Sequence, residues 1–229
     1  PVNVTGLDSG VQSIYASWHS ACALLTDKTL KCWGYKAAQD PAVLWKPDFY
    51  TVPTPLTMST YSLTSFSPFC ATDASGAINC LGYLRGEDNF SAVPTNTIGL
   101  QSGVVDLTIG EDPQSGGGSI ACARTGQTVK CWGNNRHGQV GDGSGRDQSA
   151  PTPIITDTTK GVYAGDSHAC AVLQDNSVQC WGSDFTGIYP AITSPLPIVV
   201  GGFNGIITKM ALGSSHGCAL YATGAVNCW

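Results

Sequence analysis

The stretch His168–Gly182, HACAVLQDNSVQCWG, decides the fold, because four variants of it stand elsewhere in the chain. They are HSACALLTDKTLKCWG from His19, SPFCATDASGAINCLG from Ser67, SIACARTGQTVKCWG from Ser119 and HGCALYATGAVNCW from His216. Self-similarity at a fixed period is the mark of a repeat architecture. Each copy holds one couple of cysteines: Cys22/Cys32, Cys70/Cys80, Cys122/Cys131, Cys170/Cys180 and Cys218/Cys228. The couples use every cysteine of the 229-residue chain.

Between the members of each couple, two short runs flank turn-forming residues: Asp27-Lys28, Ser75-Gly76, Gly126-Gln127, Asp175-Asn176 and Thr223-Gly224. That is the composition of a tight hairpin. Alternation along the strands puts Cys170 and Cys180 on one face with Val172 and Val178, and Ala169, Ala171 and Trp181 on the other. The third copy is one residue shorter, and the loss falls in its turn, so its cysteines stay opposed. The sequence therefore predicts five disulfides, one across each hairpin. Each closes a loop short enough to restrain the unfolded chain by about 2–3 kcal/mol in the chain-entropy model. Two readings compete. Buried free thiols do not account for an even, fully coupled set, and zinc lacks the close C-x-x-C knuckle that places two thiolates on one metal.

Composition points the same way. The chain is 42% hydrophobic and only 12% charged, with 28 Gly and 13 Pro. This suits an all-β protein with many turns, long enough to bury a substantial core. The net charge of −5 comes with no run of Lys or Arg, so a nucleic-acid surface has no electrostatic footing. No apolar run approaches the length of a membrane span. The sequence starts at Pro1 without Met and stops at Trp229 inside a repeat, which reads as a piece of something longer.

Along the chain, Gly10–Ala16, Gly103–Gly110, Gly161–Gly165 and Ile206–Gly213 echo one another ahead of their hairpins, with a weaker version at Ser62–Ser67. Proline-bearing runs follow each long connection: Val52-Pro53-Thr54-Pro55, Val93-Pro94-Thr95, Pro151-Thr152-Pro153-Ile154 and Pro195-Leu196-Pro197-Ile198. Proline cannot donate to a ladder, so these runs are expected to be outer edge strands. Each unit thus reads as strand, cysteine hairpin, long loop and edge strand, at a period of about 50 residues that suits a four-stranded propeller blade. A stacked solenoid is the competing architecture. The expected repeats are 5–57, 58–98, 99–155, 156–200 and 201–229, in a single domain over 1–229. Residues 1–4 are expected to supply the edge strand of the last unit.

Cys131–Gly143, CWGNNRHGQVGDG, followed by SAPTPI from Ser149, resembles the repeat of the regulator of chromosome condensation family, as do Gly165-Asp166-Ser167-His168 and Gly213-Ser214-Ser215-His216. The likeness extends over essentially the whole chain. It departs where Leu81 replaces the tryptophan and where 35–40 and 183–189 lack the G-Q-x-G loop. The resemblance implies an all-β propeller, here of five blades, each clasped by one intra-hairpin disulfide. The family's propeller usually has seven blades, so a closed five-bladed ring and a segment of a larger propeller both stand.

Candidate functional residues are weighed against plainer roles. His19, His168 and His216 are read as occupants of one repeat position, hence as structural. No G-x-S-x-G or H-E-x-x-H motif is present, and no catalytic residue, cofactor or metal site is expected. The run Asp142–Asp147 looks like a calcium loop, but Arg146 intrudes and no bidentate Glu follows. Asn3-Val4-Thr5 and Asn89-Phe90-Ser91 are sequons, making Asn3 and Asn89 glycan acceptors in a secreted chain. Trp45, Phe49, Tyr50, Phe90, Phe185 and Tyr189 are read as lying in the variable connections, where recognition on a rigid scaffold usually resides.

The resemblance implies, for nuclear members, nucleotide exchange on a small GTPase and chromatin binding. The disulfides and the acidic balance argue against both. Secreted relatives, the ectodomain of plant crinkly-type receptor kinases and a bacterial propeller that inhibits β-lactamases, look closer. The expected protein is a non-catalytic extracellular module for structure, adhesion or protein binding, acting through a protein partner or self-assembly, within a larger secreted glycoprotein, receptor ectodomain or surface appendage. The alternative is a stand-alone secreted propeller that binds a protein or a carbohydrate.

Overall fold

The computed structural model describes residues 3–16, 20–27, 29–35, 49–55, 65–67, 70–72, 75–82, 91–96, 99–112, 118–156, 158–183 and 192–229. All of the regular structure among them is β. The first sheet holds β1 (Val11–Ala16), β2 (Ser20–Leu25), β3 (Leu30–Tyr35) and β4 (Phe49–Pro55). The second holds β5 (Ser65–Ser67), β6 (Cys70–Thr72), β7 (Ile78–Gly82) and β8 (Ser91–Asn96). The third holds β9 (Val104–Asp112), β10 (Gly118–Thr125), β11 (Thr128–Gly133) and β12 (Gln148–Ile155). The fourth holds β13 (Thr159–Ala164), β14 (His168–Leu173), β15 (Val178–Ser183) and β16 (Thr193–Val200). The fifth holds β17 (Ile207–Leu212), β18 (Gly217–Tyr221) and β19 (Val226–Cys228). Within every sheet, consecutive strands are antiparallel neighbours, so each unit is an up-and-down meander.

Turn chemistry sets the hairpin register. In the fourth sheet Asn176 adopts φ 68°, and the Asp175 carboxylate before it accepts from Ser177 N at 2.9 Å and Ser177 Oγ at 2.7 Å. Asp27 Oδ1 accepts from Thr29 N at 2.9 Å in the same way, and Thr223 Oγ1 accepts from Ala225 N at 3.4 Å. An Asx or Thr side chain mimicking a turn of backbone is what these residue types supply. The shorter third hairpin pairs Thr125 directly with Thr128.

That register places Cys22 opposite Cys32, Cys70 opposite Cys80, Cys122 opposite Cys131, Cys170 opposite Cys180 and Cys218 opposite Cys228. Disulfides join Cys122–Cys131, Cys170–Cys180 and Cys218–Cys228, with Cα atoms 4.1, 4.1 and 4.0 Å apart. Cys22 is disulfide-bonded as well. The short separation follows from the ladder. Gly217 and Trp229 exchange both backbone hydrogen bonds, at 3.0 and 2.9 Å, so the adjacent Cys218/Cys228 pair is a non-hydrogen-bonded one, the closer of the two kinds.

Proline-bearing runs lie on the outer strands β4, β8, β12 and β16, where a missing N–H donor is tolerated. All four outer pairings slip in register between the second cysteine and the following glycine. The slip falls at Trp33, Leu81, Trp132 and Trp181.

Three expectations change. Phe49 and Tyr50 do not lie in a connection; they open β4, where Tyr50 faces Gly34 and Phe49 faces Tyr35, because the outer strand starts earlier than its proline run. Of the edge strand expected at 1–4, residues 1 and 2 lie outside the described residues. Asn3 and Val4 belong to no strand, and Val4 instead accepts from Leu7 N at 3.1 Å. Finally, Ser20 faces Gly34 as His168 faces Gly182, so Ser20 takes the place of His168 and His19 stands one residue ahead.

The core is laid down between sheets, and its logic is the face alternation. The cystine face of the third sheet, with Ile120, Cys122, Val129 and Cys131, packs against Val162, Ala169, Ala171, Leu173 and Trp181 of the fourth. The cystine face of the fourth, with Cys170, Val172, Val178 and Cys180, packs against Ile207, Met210, Ala219 and Tyr221 of the fifth. Ile78 of the second sheet, with Leu100 and Val104, meets Ala121, Ala123 and Trp132 of the third. The alanines keep one face shallow, so the disulfide and branched side chains of the preceding sheet can seat on it. Each fully buried Val or Ile contributes about 1.5–3 kcal/mol.

Candidate functional site

The inner ends of the first strands come closest to one another, and glycine permits it. A Cβ on Gly110 would collide with the Gly165 carbonyl, and one on Gly165 with the Gly213 carbonyl. The backbones of successive units therefore touch through one glycine per unit. Asp166 N donates to Gly213 O at 3.3 Å across the same junction.

Gly165 and Gly213 also explain the histidines. Gly165 N donates to His168 O, and Gly213 N to His216 O, both at 2.8 Å. The imidazole rings lie where a side chain at each glycine would be. In the third unit the register equivalent of His168 is Ile120, opposite Gly110, and both Ile120 and His168 are 0% exposed. A position that isoleucine fills equally well is a packing position for His168; His216 is exposed.

The connection between β11 and β12, residues 134–147, lies wholly within the described residues. Asn134, Asn135 and Gln139 are fully buried in it. Asn135 Nδ2 donates to Asp142 Oδ1 at 2.9 Å and to Arg146 O at 3.0 Å. Asn135 Oδ1 accepts from Val140 N at 3.0 Å, and Asp147 Oδ1 accepts from Asn135 N at 2.9 Å. One buried amide thus ties both limbs of the loop. Its apex reaches the next unit: Trp181 Nε1 donates to Gln139 O at 2.8 Å, and Gly143 N donates to Pro195 O at 2.9 Å. Gly141, at φ 88°, lies against the Trp181 indole, where a Cβ would come within 2.7 Å of the ring. The sequence names this loop only through its resemblance; that it seals the tryptophan of the following unit is visible only once distant residues are placed.

As a calcium loop this connection fails on its donors. Asp142 accepts from Ser144 N at 2.9 Å, Ser144 Oγ at 2.8 Å and Gln148 Nε2 at 2.6 Å. N–H and O–H groups pointed at a carboxylate occupy the lone pairs a cation needs. Burial pushes the Asp142 carboxyl up, but the Ser144 and Asn135 hydrogen bonds prevail and hold it below its ordinary value. Among the described residues no group of three or more His, Cys, Asp or Glu is placed to hold a metal ion. The Tyr163 phenol is raised, by burial first and by the Asp106 carboxylate second. Asp106 is itself engaged by Arg124 Nε at 2.6 Å.

Of the expected site residues, Asn3 is exposed. Tyr50 lies on β4. Asn89, Trp45, Phe90, Phe185 and Tyr189 lie outside the described residues. The structure brings the cysteines together in couples.

Residues 129–172 and 160–187 match the regulator of chromosome condensation (RCC1) repeat. The ultraviolet-B receptor UVR8 of Arabidopsis thaliana is 31% identical over 137 residues, 57% of this chain and 30% of that protein. Among solved structures, Prp20p of Saccharomyces cerevisiae superposes with a TM-score of 0.76 at 20% identity, covering 96% of this chain and 57% of that one. The ectodomain of the receptor kinase CR4 of Physcomitrella patens superposes with a TM-score of 0.61 at 19% identity, covering 96% and 52%. The chain therefore spans less than two thirds of each of these proteins. Its fold is the repeat propeller of the regulator of chromosome condensation type, with disulfides across its hairpins.

Proposed function

We propose that this chain of regulator of chromosome condensation repeats is an extracellular protein-interaction module that performs no chemistry and works within a larger secreted glycoprotein, receptor ectodomain or surface appendage. The observation that carries this reading is the cross-strand cystine in hairpin after hairpin. Such bonds persist in oxidising compartments and are rare where thiols are kept reduced. The likeness to a receptor-kinase ectodomain supports the location. That Prp20p is described by its binding to Gsp1p and histones supports a protein as the partner class for this fold. The same fold acting on other partners inside cells is compatible with this, because recognition lives in the loops and the scaffold is shared.

In this proposal the loop aromatics Trp45, Phe90, Phe185 and Tyr189, with Tyr50 at the head of β4, make the partner contact, and Asn3 and Asn89 carry glycan. Aromatic anchors of this kind dominate protein interfaces. The test is retention of the oxidised, secreted chain on a panel of extracellular proteins and, in parallel, on a glycan array. Selective retention of one surface protein, weakened at least tenfold by alanine at Trp45 or Tyr50, is the expected result. Selective glycan retention with no protein retained would replace this reading with the lectin-like one. Free thiols in the native secreted protein, found by peptide mapping without reductant, would remove the extracellular assignment.

A further inference from the structure

The chain contains one Asn-Gly pair, Asn204-Gly205, and one Asp-Gly pair, Asp142-Gly143. In both, the backbone nitrogen after the side chain can attack the side-chain carbonyl carbon, because glycine adds no Cβ to hinder the approach and leaves the backbone free to adjust. The structure treats the two pairs oppositely. Gly143 N donates to Pro195 O at 2.9 Å, and the Asp142 carboxylate is held by Ser144 N, Ser144 Oγ, Asn135 Nδ2 and Gln148 Nε2. Nucleophile and electrophile are both tied. Asn176-Ser177, the next least hindered pair, is tied as well: Ser177 N donates to Asp175 Oδ1 at 2.9 Å, and Asn176 Oδ1 accepts from Lys160 Nζ at 2.6 Å. Asn204 and Gly205 are both exposed, and among the described residues neither the Asn204 side chain nor Gly205 N has a hydrogen-bond partner.

Exposure here belongs to the place in the repeat. Asn204 stands two residues ahead of Ile206, whose carbonyl accepts from Ala222 N at 2.8 Å in the hairpin turn. Thr156 stands likewise ahead of Thr158, and Asp8 ahead of Gly10, whose carbonyls accept from Gln174 N and Thr26 N at the same distance. All three are exposed. Thr156 is so although the third and fifth sheets pack on either side of its own.

We propose that Asn204 is a site of spontaneous deamidation, closed to a cyclic imide by Gly205 N. The Gly205 nitrogen loses its proton and bonds to Asn204 Cγ, the Cγ–Nδ2 bond breaks, and ammonia leaves with that proton. Water then opens the imide at either carbonyl, giving aspartate or isoaspartate. Both products add one negative charge, a covalent change that alters the local physics as other modifications do. Isoaspartate also lengthens the backbone by one methylene between two anchored points. On one side Phe203 packs edge-on to Trp229, with ring centroids 5.1 Å apart; on the other Ile206 O holds Ala222 N. The strain falls on the entry to β17.

The experiment is timed incubation of the folded, oxidised protein at neutral and mildly alkaline pH, followed by peptide mapping with mass spectrometry. The Asn204 peptide is expected to gain the mass of a carboxyl in place of an amide, with isoaspartate exceeding aspartate, about tenfold faster than the Asn176 peptide. Alkaline pH accelerates it, because the attacking nitrogen must give up its proton. Asp142 is expected to stay aspartate in the folded protein and to form isoaspartate once the chain is reduced and denatured. Asn204→Gln, which would have to close a larger ring, is expected to remain unmodified with an unchanged circular-dichroism spectrum. Amide exchange at Ala222 is expected to accelerate in the isoaspartate fraction and to stay at the wild-type rate in Asn204→Asp, which carries the charge without the extra methylene. Asn204 converting no faster than Asn176, conversion to aspartate alone, or isoaspartate at Asp142 of the folded protein as fast as at Asn204 would each overturn the inference. Unchanged exchange at Ala222 in the isoaspartate fraction would overturn the strain on β17.

Discussion

The fourth and fifth sheets carry nearly the same hairpin and experience different surroundings. Cys170–Cys180 is fully buried under a neighbouring sheet, whereas Cys228 of the Cys218–Cys228 pair is exposed. His168 is 0% exposed and His216, at the same place, is exposed. Trp181 is 0% exposed and hydrogen-bonded to the loop of the preceding unit; Trp229 is half-buried, edge-on to Phe203 with ring centroids 5.1 Å apart. The hairpin is thus a local object that forms wherever its sentence is written. Its contribution to the core is conferred by the units beside it: the following sheet covers its cystine face, and the preceding unit covers its tryptophan.

The tryptophans give the largest test of that difference. Trp181→Ala is expected to cost about 3–5 kcal/mol, as removal of a fully buried aromatic does, while Trp229→Ala costs well under half of that. Chemical denaturation of the two variants measures it. Equal losses would mean that the two hairpins are not energetically distinct.

The paired valines come next. Val178→Ala removes branched bulk from a filled interface and is expected to cost about 2 kcal/mol, whereas Val226→Ala stays within about 0.5 kcal/mol of wild type. Chemical denaturation of the two variants measures the packing between the fourth and fifth sheets against an exposed place in the same register.

Reduction sharpens the comparison kinetically. A thiolate must reach the sulfur it attacks, so exposure governs the order of reduction. Under mild dithiothreitol, alkylation followed by mass spectrometry is expected to find Cys218 and Cys228 labelled before Cys170 and Cys180. Simultaneous labelling would show the fourth hairpin opening as readily as the fifth.

The smallest expected effect lies in the turns. Hydrogen bonds from the Ser177 side chain and then its backbone hold the Asp175 carboxyl below its ordinary value of 3.8. A carboxylate depressed on folding stabilises the hairpin fully above that ordinary value, and the contribution disappears as pH falls through the depressed value. Thr223, at the same place in the fifth sheet, does not titrate. On acidification below pH 3.8, amide exchange at Ser177, corrected for its intrinsic rate, is expected to accelerate while that at Ala225 does not. Asp175→Asn is expected to abolish the difference.

Several features were legible because they depend on neighbours a few residues away. The turn at Asp175-Asn176, the opposed cysteines and the outer placement of the proline runs each follow from residue types at short spacing. The start of β4 was missed because Phe49 and Tyr50 join it by pairing with β3 across a long connection, and their composition alone suits a loop or a strand. The offset of His19 was missed because likeness of letters does not fix register; the pairing of Ser20 with Gly34 does. The role of the Gln139 carbonyl had no signal at all, since its partner Trp181 is 42 residues away.

By itself the sequence determined the repeat, the hairpins, the cysteine couples and the alternation that gives each sheet a cystine face and an alanine face. These are matters of covalent spacing, turn chemistry and a strand period of two, all settled within one unit. Only the tertiary structure decided which of those faces is covered, because covering one takes a sheet about 50 residues before or after it in the chain, at the repeat period of a propeller. Burial belongs to the junction between units, and the same side chains in the last unit, with no sheet beyond them among the described residues, stand open to solvent.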